Sequence, residues 1–205
     1  MPGEVRGELL SRVVDRMAEQ GVSALSLRRL AADLGTSHRM LIYHFGSKEG
    51  LLVEVVREIE SRQRAALASL DFDPVDSPAD AIRSMWRRLA DPALWPYERL
   101  FFELYGQAVQ GYPGTTALLE GVVESWLDLN VELAARRGVP AELARTHARL
   151  GLAVIRGLLL DLLATGDRAG TDAALEAFAA GYEAGLPVPT PGGVGARRKG
   201  RAPTR

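Results

Sequence analysis

The chain has 205 residues, 47% of them hydrophobic and 25% charged, with no cysteine and a formal net charge of −1. These figures fit one globular helical unit, or a small domain joined to a larger one, and exclude a disulfide framework or a thiolate zinc site. No apolar run reaches the roughly 18 residues that span a bilayer. The start MPGEVRGELLSRVVDRM carries acids and lacks an apolar signal core, so a cytosolic setting without a membrane partner is expected.

The charge is unevenly spread. Lys48 and Lys199 are the two lysines, and the other basic residues are arginines. The tail Leu186–Arg205 carries +5, the rest of the chain −6, and the short stretch Arg28–Lys48 is locally +3. An acidic body with one short basic segment suits a protein that meets a polyanion at a single place.

In chain order, Val5, Leu9, Leu10, Val13, Val14 and Met17 follow a 3.6-residue period, which predicts a first helix over 4–20 ended by Gly21. Ser26 can cap a short second helix with Leu27, Leu30, Ala31 and Leu34 facing inward. Gly35 supplies a turn, and Thr36 can cap a third helix to about Tyr43. Gly46 breaks it, and Ser47 caps a long fourth helix reaching about Leu70. After the loop DFDPVDSP, Ser77-Pro78 with Asp80 is a strong helix start. Further helices are predicted over 78–90, 93–110, 115–137, 140–165 and 172–185, separated by Pro and Gly breakers. No segment alternates with period 2. The expectation is an all-α fold of about nine helices: a helix-turn-helix unit over 1–48, a helical bundle over 49–186, and a disordered basic tail over 187–205.

Two short helices joined by a tight turn, flanked by a helix on each side, fit a DNA-binding module whose second helix enters the major groove. Ser37, His38, Arg39 and Met40 then point away from the small core. Arg39 can fork onto guanine O6 and N7, with His38 and Ser37 at neighbouring bases. Tyr43, His44 and Lys48 are placed to hold phosphates, which fixes register. Ser26, Arg28 and Thr36 complete the expected DNA-facing set, Arg28 with Arg29 being equally readable as a solvated helix face. Taken alone, Tyr43 reads as a partly buried anchor.

The stretch GVSALSLRRLAADLGTSHRMLIYHFGSKEGLL resembles the TetR-type bacterial regulators. The matching pieces are Gly21, Leu27, Leu30 through Ser37, Leu41, Tyr43-His44-Phe45, Lys48-Glu49 and Leu51-Leu52. The resemblance implies an N-terminal three-helix DNA-binding domain, a C-terminal helical domain that takes a small effector, and a homodimer built by the last two helices. Repression, too, is what the resemblance implies. Ile42 departs from the family habit of an aromatic residue there.

Trp86, Phe102, Tyr105 and Trp126 fall on three adjacent helices and suit a mostly apolar cavity for a hydrophobic or aromatic small molecule, with Glu103, Gln107 and Arg156 as polar partners. Core packing is the competing reading for each taken singly. Residues 149–164 are apolar on more than one face, and 172–185 carries small residues around an apolar stripe. Leu152, Ile155, Leu159, Leu175, Phe178 and Tyr182 are therefore expected at an isologous dimer interface on a palindromic operator. A helical adaptor for protein partners, or an all-helical enzyme, are the rival classes. Against the enzyme stand His38, His44 and His147 at no metal-ligand spacing, no G-x-S-x-G and no phosphate loop, and no cofactor is expected.

Overall fold

Side-chain caps and glycines set most of the helix boundaries. A computed structural model describes residues 2–22, 26–69, 77–135 and 139–185. Its helices are α1 Pro2–Gln20, α2 Leu27–Asp33, α3 His38–Phe45, α4 Lys48–Ala68, α5 Pro78–Leu89, α6 Trp95–Val109, α7 Glu124–Ala135, α8 Ala141–Thr165 and α9 Arg168–Gly185. Short 3-10 turns lie at Pro92–Leu94 and Thr116–Leu119, and there is no strand among the described residues. The fold is all-helical, and the basic tail lies outside the described residues.

Ser77 and Asp80 form the expected reciprocal cap of α5: the Asp80 N–H donates to Ser77 Oγ at 3.2 Å, and the Ser77 N–H donates to Asp80 Oδ2 at 3.2 Å. Ser47 Oγ accepts from the Gly50 N–H at 3.0 Å at the start of α4. Gly46, at φ 78°, closes α3 in a conformation that disfavours any side chain.

Four boundaries differ from the sequence expectation. The cap of α3 is Ser37, whose Oγ accepts from the Met40 N–H at 3.2 Å; Thr36 is one residue too early. Ser26 stands at the head of α2 in extended conformation but makes no side-chain cap. The predicted helix over 115–137 is split into the 3-10 turn and α7, because Gly121 adopts φ 72° between them. The last helix also begins earlier than 172: Gly166 closes α8 at φ 72°, and Asp167 Oδ1 accepts from the Gly170 N–H at 2.8 Å, so α9 starts at Arg168.

Packing forms two cores. One gathers Val13, Val14 and Met17 of α1, Leu30 and Leu41 of the short helices, Leu51 and Val55 of α4, and Leu100 and Leu104 of α6. The other joins Leu67, Met85, Trp86, Leu89, Trp126, Leu159, Leu162 and Leu175 from α4, α5, α7, α8 and α9. At about 1.5–3 kcal/mol per fully buried large apolar side chain, such clusters outweigh any surface ion pair. The first core runs across position 48, so the three N-terminal helices pack continuously on α4 and α6.

Candidate nucleic-acid interface and inner cavity

Helix α1 grips the helix-turn-helix with arginines. Arg16 holds Asp33 Oδ2 through Nε at 3.1 Å and Nη2 at 3.0 Å, and these bonds keep the Asp33 carboxyl below its usual range. Arg12 donates to the Leu34 carbonyl at the turn. Arg6 donates to the His44 carbonyl at 3.3 Å and pairs with Glu54 at 2.5 Å, tying α3 to α4. The end of α2, the turn and the C-terminal end of α3 are thereby fixed from behind.

That grip leaves the front face open. Ser26, Arg28, Ser37, His38 and Arg39 are exposed, as is Met40. Tyr43 is 78% exposed, so it is no partly buried anchor. Leu41 and Phe45 are buried, Ile42 packs against the core, and Thr36 and Lys48 are half-buried. His44 departs from its expected place: its Nε2 is buried without a hydrogen-bond partner, so that atom does not face a phosphate. Of the proposed backbone clamps, Tyr43 is the one that stands fully clear.

In the second core a cavity of about 120 Å³ is walled by Leu67, Ile82, Met85, Trp126, Leu152 and Ile155, with Asn130 and Tyr182 among its polar edges. An inner pocket of about 30 Å³ shares Met85, Trp126, Leu152 and Ile155 with it and adds Phe101, Phe102, Glu60, Gln63, Glu98 and Arg156. Of the four aromatic residues expected at a ligand site, Trp126 lines both spaces and Phe102 lines the inner one. Trp86 and Tyr105 wall neither of these two spaces. The Trp86 indole N–H donates to Asp172 at 2.5 Å, joining α5 to α9, while Tyr105 stacks on Phe101 at 5.4 Å.

The polar centre is only partly the expected one. Arg156 does belong to it, pairing with Glu60 at 2.8 Å and lying 5.2 Å and 5.4 Å over the Phe101 and Tyr105 rings. Glu60 also meets Arg64 at 3.1 Å. Burial pushes the Glu60 carboxyl up, with Arg156 opposing. Burial pushes Glu98 up to about 7, and its hydrogen-bond donor is the Gln63 amide. Glu103 lies elsewhere: it accepts from the Val22 N–H at 3.2 Å, where α6 meets the end of α1. Gln107 is half-buried late in α6 and walls neither cavity. Glu60, Gln63 and Glu98 were not singled out from sequence. A glutamate on an otherwise apolar helix face, as at Glu98 between Trp95 and Phe102, is the signal that was available.

The expected dimer set is also redistributed. Leu159 and Leu175 are buried in the chain's own core, and Leu152, Ile155 and Tyr182 are half-buried and wall the cavity. Phe178 is half-buried, 6.0 Å from the Tyr182 ring. The outward apolar row of α8 is Leu143, Leu150 and Leu160, spaced at helical repeats with the exposed Ala153 and Gly157 between them.

A pinned helix-turn-helix with an open second helix, carried on a helical bundle, defines a DNA-binding transcription regulator. Residues 12–55 match the family described as bacterial regulatory proteins, tetR family. An HTH-type transcriptional repressor of Mycobacterium tuberculosis is 29% identical over 143 residues, 69% of each chain. A transcriptional regulator from Rhodococcus superposes with a TM-score of 0.73 at 21% identity, covering 89% of this chain and 98% of that one. A regulator from Saccharomonospora viridis, solved in complex with choline, does so at 0.63 and 21%, covering 90% and 98%. Over residues 12–55 the chain is thus similar to the tetR family, and its whole helical fold is similar to that of these solved regulators.

Proposed function

We propose that the chain is a ligand-released repressor: a homodimer that holds a palindromic DNA operator and leaves it when a small molecule fills the cavity between α4, α5, α7 and α8. The observation that carries the DNA half is the exposed row Ser37, His38, Arg39 and Tyr43 on a helix-turn-helix that Arg6, Arg12 and Arg16 of α1 clamp from behind. In this reading residues 1–48 supply the reading unit and the helices from 49 onward the effector and dimer unit. Arg39 reads a guanine, His38 and Ser37 its neighbours, and Tyr43 and Lys48 hold phosphates, with Ser26, Arg28 and Thr36 at the flank.

The ligand half rests on the cavity of about 120 Å³ and on the helices that wall it. Helix α4 carries Glu60 and Leu67 of the cavity region at one end and Lys48 and Leu51 of the reading unit at the other. Helix α6 carries Glu98, Phe101 and Phe102 of the inner pocket and also meets α1, through Glu103 on Val22 and the Tyr97 hydroxyl on Asp15 at 3.1 Å. A ligand that binds one setting of α4 and α6 more tightly therefore shifts the spacing of the two reading helices, by no more than its difference in affinity between the settings. The dimer is formed through the outward row Leu143, Leu150 and Leu160 of α8 and the small exposed residues Ala173, Ala177 and Gly181 of α9, which permit close helix approach. It sets the recognition helices about 34 Å apart, one turn of DNA. The choline-bound relative supports a small-molecule site in this fold.

Selection of genomic fragments by the full chain, followed by affinity measurements on the selected fragment, tests the reading. Arg39→Ala and Lys48→Ala are expected to weaken binding at fixed salt, with Arg39→Ala also relaxing sequence preference at one base pair. Retention of full affinity and preference by both variants would leave a helical adaptor for protein partners as the better reading.

A further inference from the structure

Glu60 and Glu98 both line the inner pocket, and the arginine that lines it, Arg156, pairs with Glu60. Glu60 and Glu98 are each 2% exposed. Glu60 is matched, since Arg156 at 2.8 Å and Arg64 at 3.1 Å both reach it. Glu98 forms no ion pair with any described residue; the Gln63 amide is its hydrogen-bond partner. Around it stand Phe101, Phe102 and Trp126, whose ring faces attract positive charge, and the Phe101 and Tyr105 faces already receive the Arg156 guanidinium.

We propose that the effector is an organic monocation with an apolar body about the size of one aromatic ring, the body in the 120 Å³ cavity and the charge against the Glu98 carboxylate. The proposal rests on the effector reading above and names the ligand class for that site. Size supports it, because an apolar cavity of about 150 Å³ accepts benzene, and the cavity and inner pocket together approach that volume. Charge supports it as well. A ligand anion would be a third acid beside Glu60 and Glu98, and the arginine it would need, Arg156, is already hydrogen-bonded and stacked. A cation instead gives Glu98 the counter-charge that its surroundings lack. The groups that face Glu98 are Glu60 and Gln63 from α4 and Arg156 from α8. Arg62, Arg88 and Tyr97 share with it an outer groove of about 210 Å³. Two arginines on that outer side disfavour approach of a cation from there, so the charge arrives from the apolar side.

The test uses the full chain and three probes: phenyltrimethylammonium, its neutral isostere tert-butylbenzene, and the anion 4-tert-butylbenzoate, which adds a carboxylate at the far end of the ring. Binding is read by calorimetry and by tryptophan fluorescence, and DNA release is read on the selected fragment. At pH 8 the cation is expected to bind at least about tenfold tighter than the neutral isostere and to release DNA. Its affinity is expected to fall about tenfold between pH 8 and pH 6, because a carboxyl pushed up to about 7 must lose its proton to receive the cation. Glu98→Gln keeps the size and the Gln63 contact, and is expected to remove both the preference and the pH dependence while leaving tert-butylbenzene binding in place. If the neutral compound or the benzoate binds as well as the cation and releases DNA, the charge assignment fails and the effector reading stands. If no probe binds, the assignment fails, and if no compound releases DNA from the selected fragment, the effector reading fails separately.

Discussion

The reading unit and the inner pocket are built on opposite plans. In the reading unit the polar residues face outward from a small apolar core, and every one of them lies between Ser26 and Lys48, so the local repeat places them. In the pocket the polar residues face inward, and Glu60 and Arg156, bonded at 2.8 Å, stand 96 positions apart. Surface function is written in consecutive residues, whereas buried function is written in pairs that meet only after the chain has folded. A helix face that reads as apolar with one glutamate is ambiguous until its neighbour is known.

The two plans are nevertheless joined by α4 and α6, which pack into both cores, and the largest expected effect tests that joining. Leu104 of α6 is fully buried against residues of α1 and α4. Leu104→Ala should cost about 2–5 kcal/mol, through lost transfer energy and the cavity left behind. Denaturant unfolding followed by far-UV circular dichroism reports all helices, whereas fluorescence reports only Trp86, Trp95 and Trp126, all outside the reading unit. Cores joined through α4 and α6 predict that the two signals shift together in a single transition. Separate midpoints would show that α1–α3 unfold independently of the bundle, and the contrast between the regions would then be thermodynamic as well as chemical.

A smaller effect should separate the regions by pH. The Glu98 carboxyl, ordinarily near 4.5, is pushed up to about 7 by burial. The native state therefore holds a proton that the unfolded chain has already released between those values, so stability falls as pH rises from about 4.5 to about 7 and is level above that. From pH 5.5 to pH 7.5 this group alone should remove about 2 kcal/mol, and Glu98→Gln should flatten that part of the profile. The exposed Asp33 and Asp80 carboxyls move the other way, held down by Arg16 and by Ser77 with Arg83, and so favour the folded state above their ordinary range. A variant whose pH profile matches that of the parent would show that Glu98 is not the buried acid that matters.

How much of this was legible follows the same division. Ser47, the Ser77-Pro78-Asp80 start and Gly21 act within one helical turn, and each stands where its type predicts. Thr36 and Ser37 are adjacent hydroxyl residues, and only the backbone, extended at Ser37, decides which one caps. The continuous apolar pattern over 115–137 hid the left-handed Gly121 that divides it. Leu159 and Leu175 have the apolar character of interface residues, but pattern alone does not tell a helix's own core face from its partner face. Arg6, Arg12 and Arg16 carry no signal in the local sequence, because their acceptors, His44, Leu34 and Asp33, come from later in the chain.

The smallest expected effect bears on what joins the two regions. Val22, just past the end of α1, donates its N–H to Glu103, the residue directly after the pocket residues Phe101 and Phe102. Glu103→Ala leaves that partly buried donor without its carboxylate and should cost about 1 kcal/mol of stability, readable as a small shift of the unfolding midpoint. The more telling readout is the ratio of DNA affinity with and without a releasing ligand. If α6 carries the ligand's preference to α1 through this bond, the ratio should shrink by about fivefold, the factor equivalent to about 1 kcal/mol of coupling, while affinity for DNA in the absence of ligand changes little. A ratio that holds while stability falls would confine the bond to packing and leave α4 as the connection between the pocket and the reading helix. The comparison of Glu103→Ala with Leu104→Ala makes this decisive, since neighbouring positions on one helix would then report communication and cohesion separately.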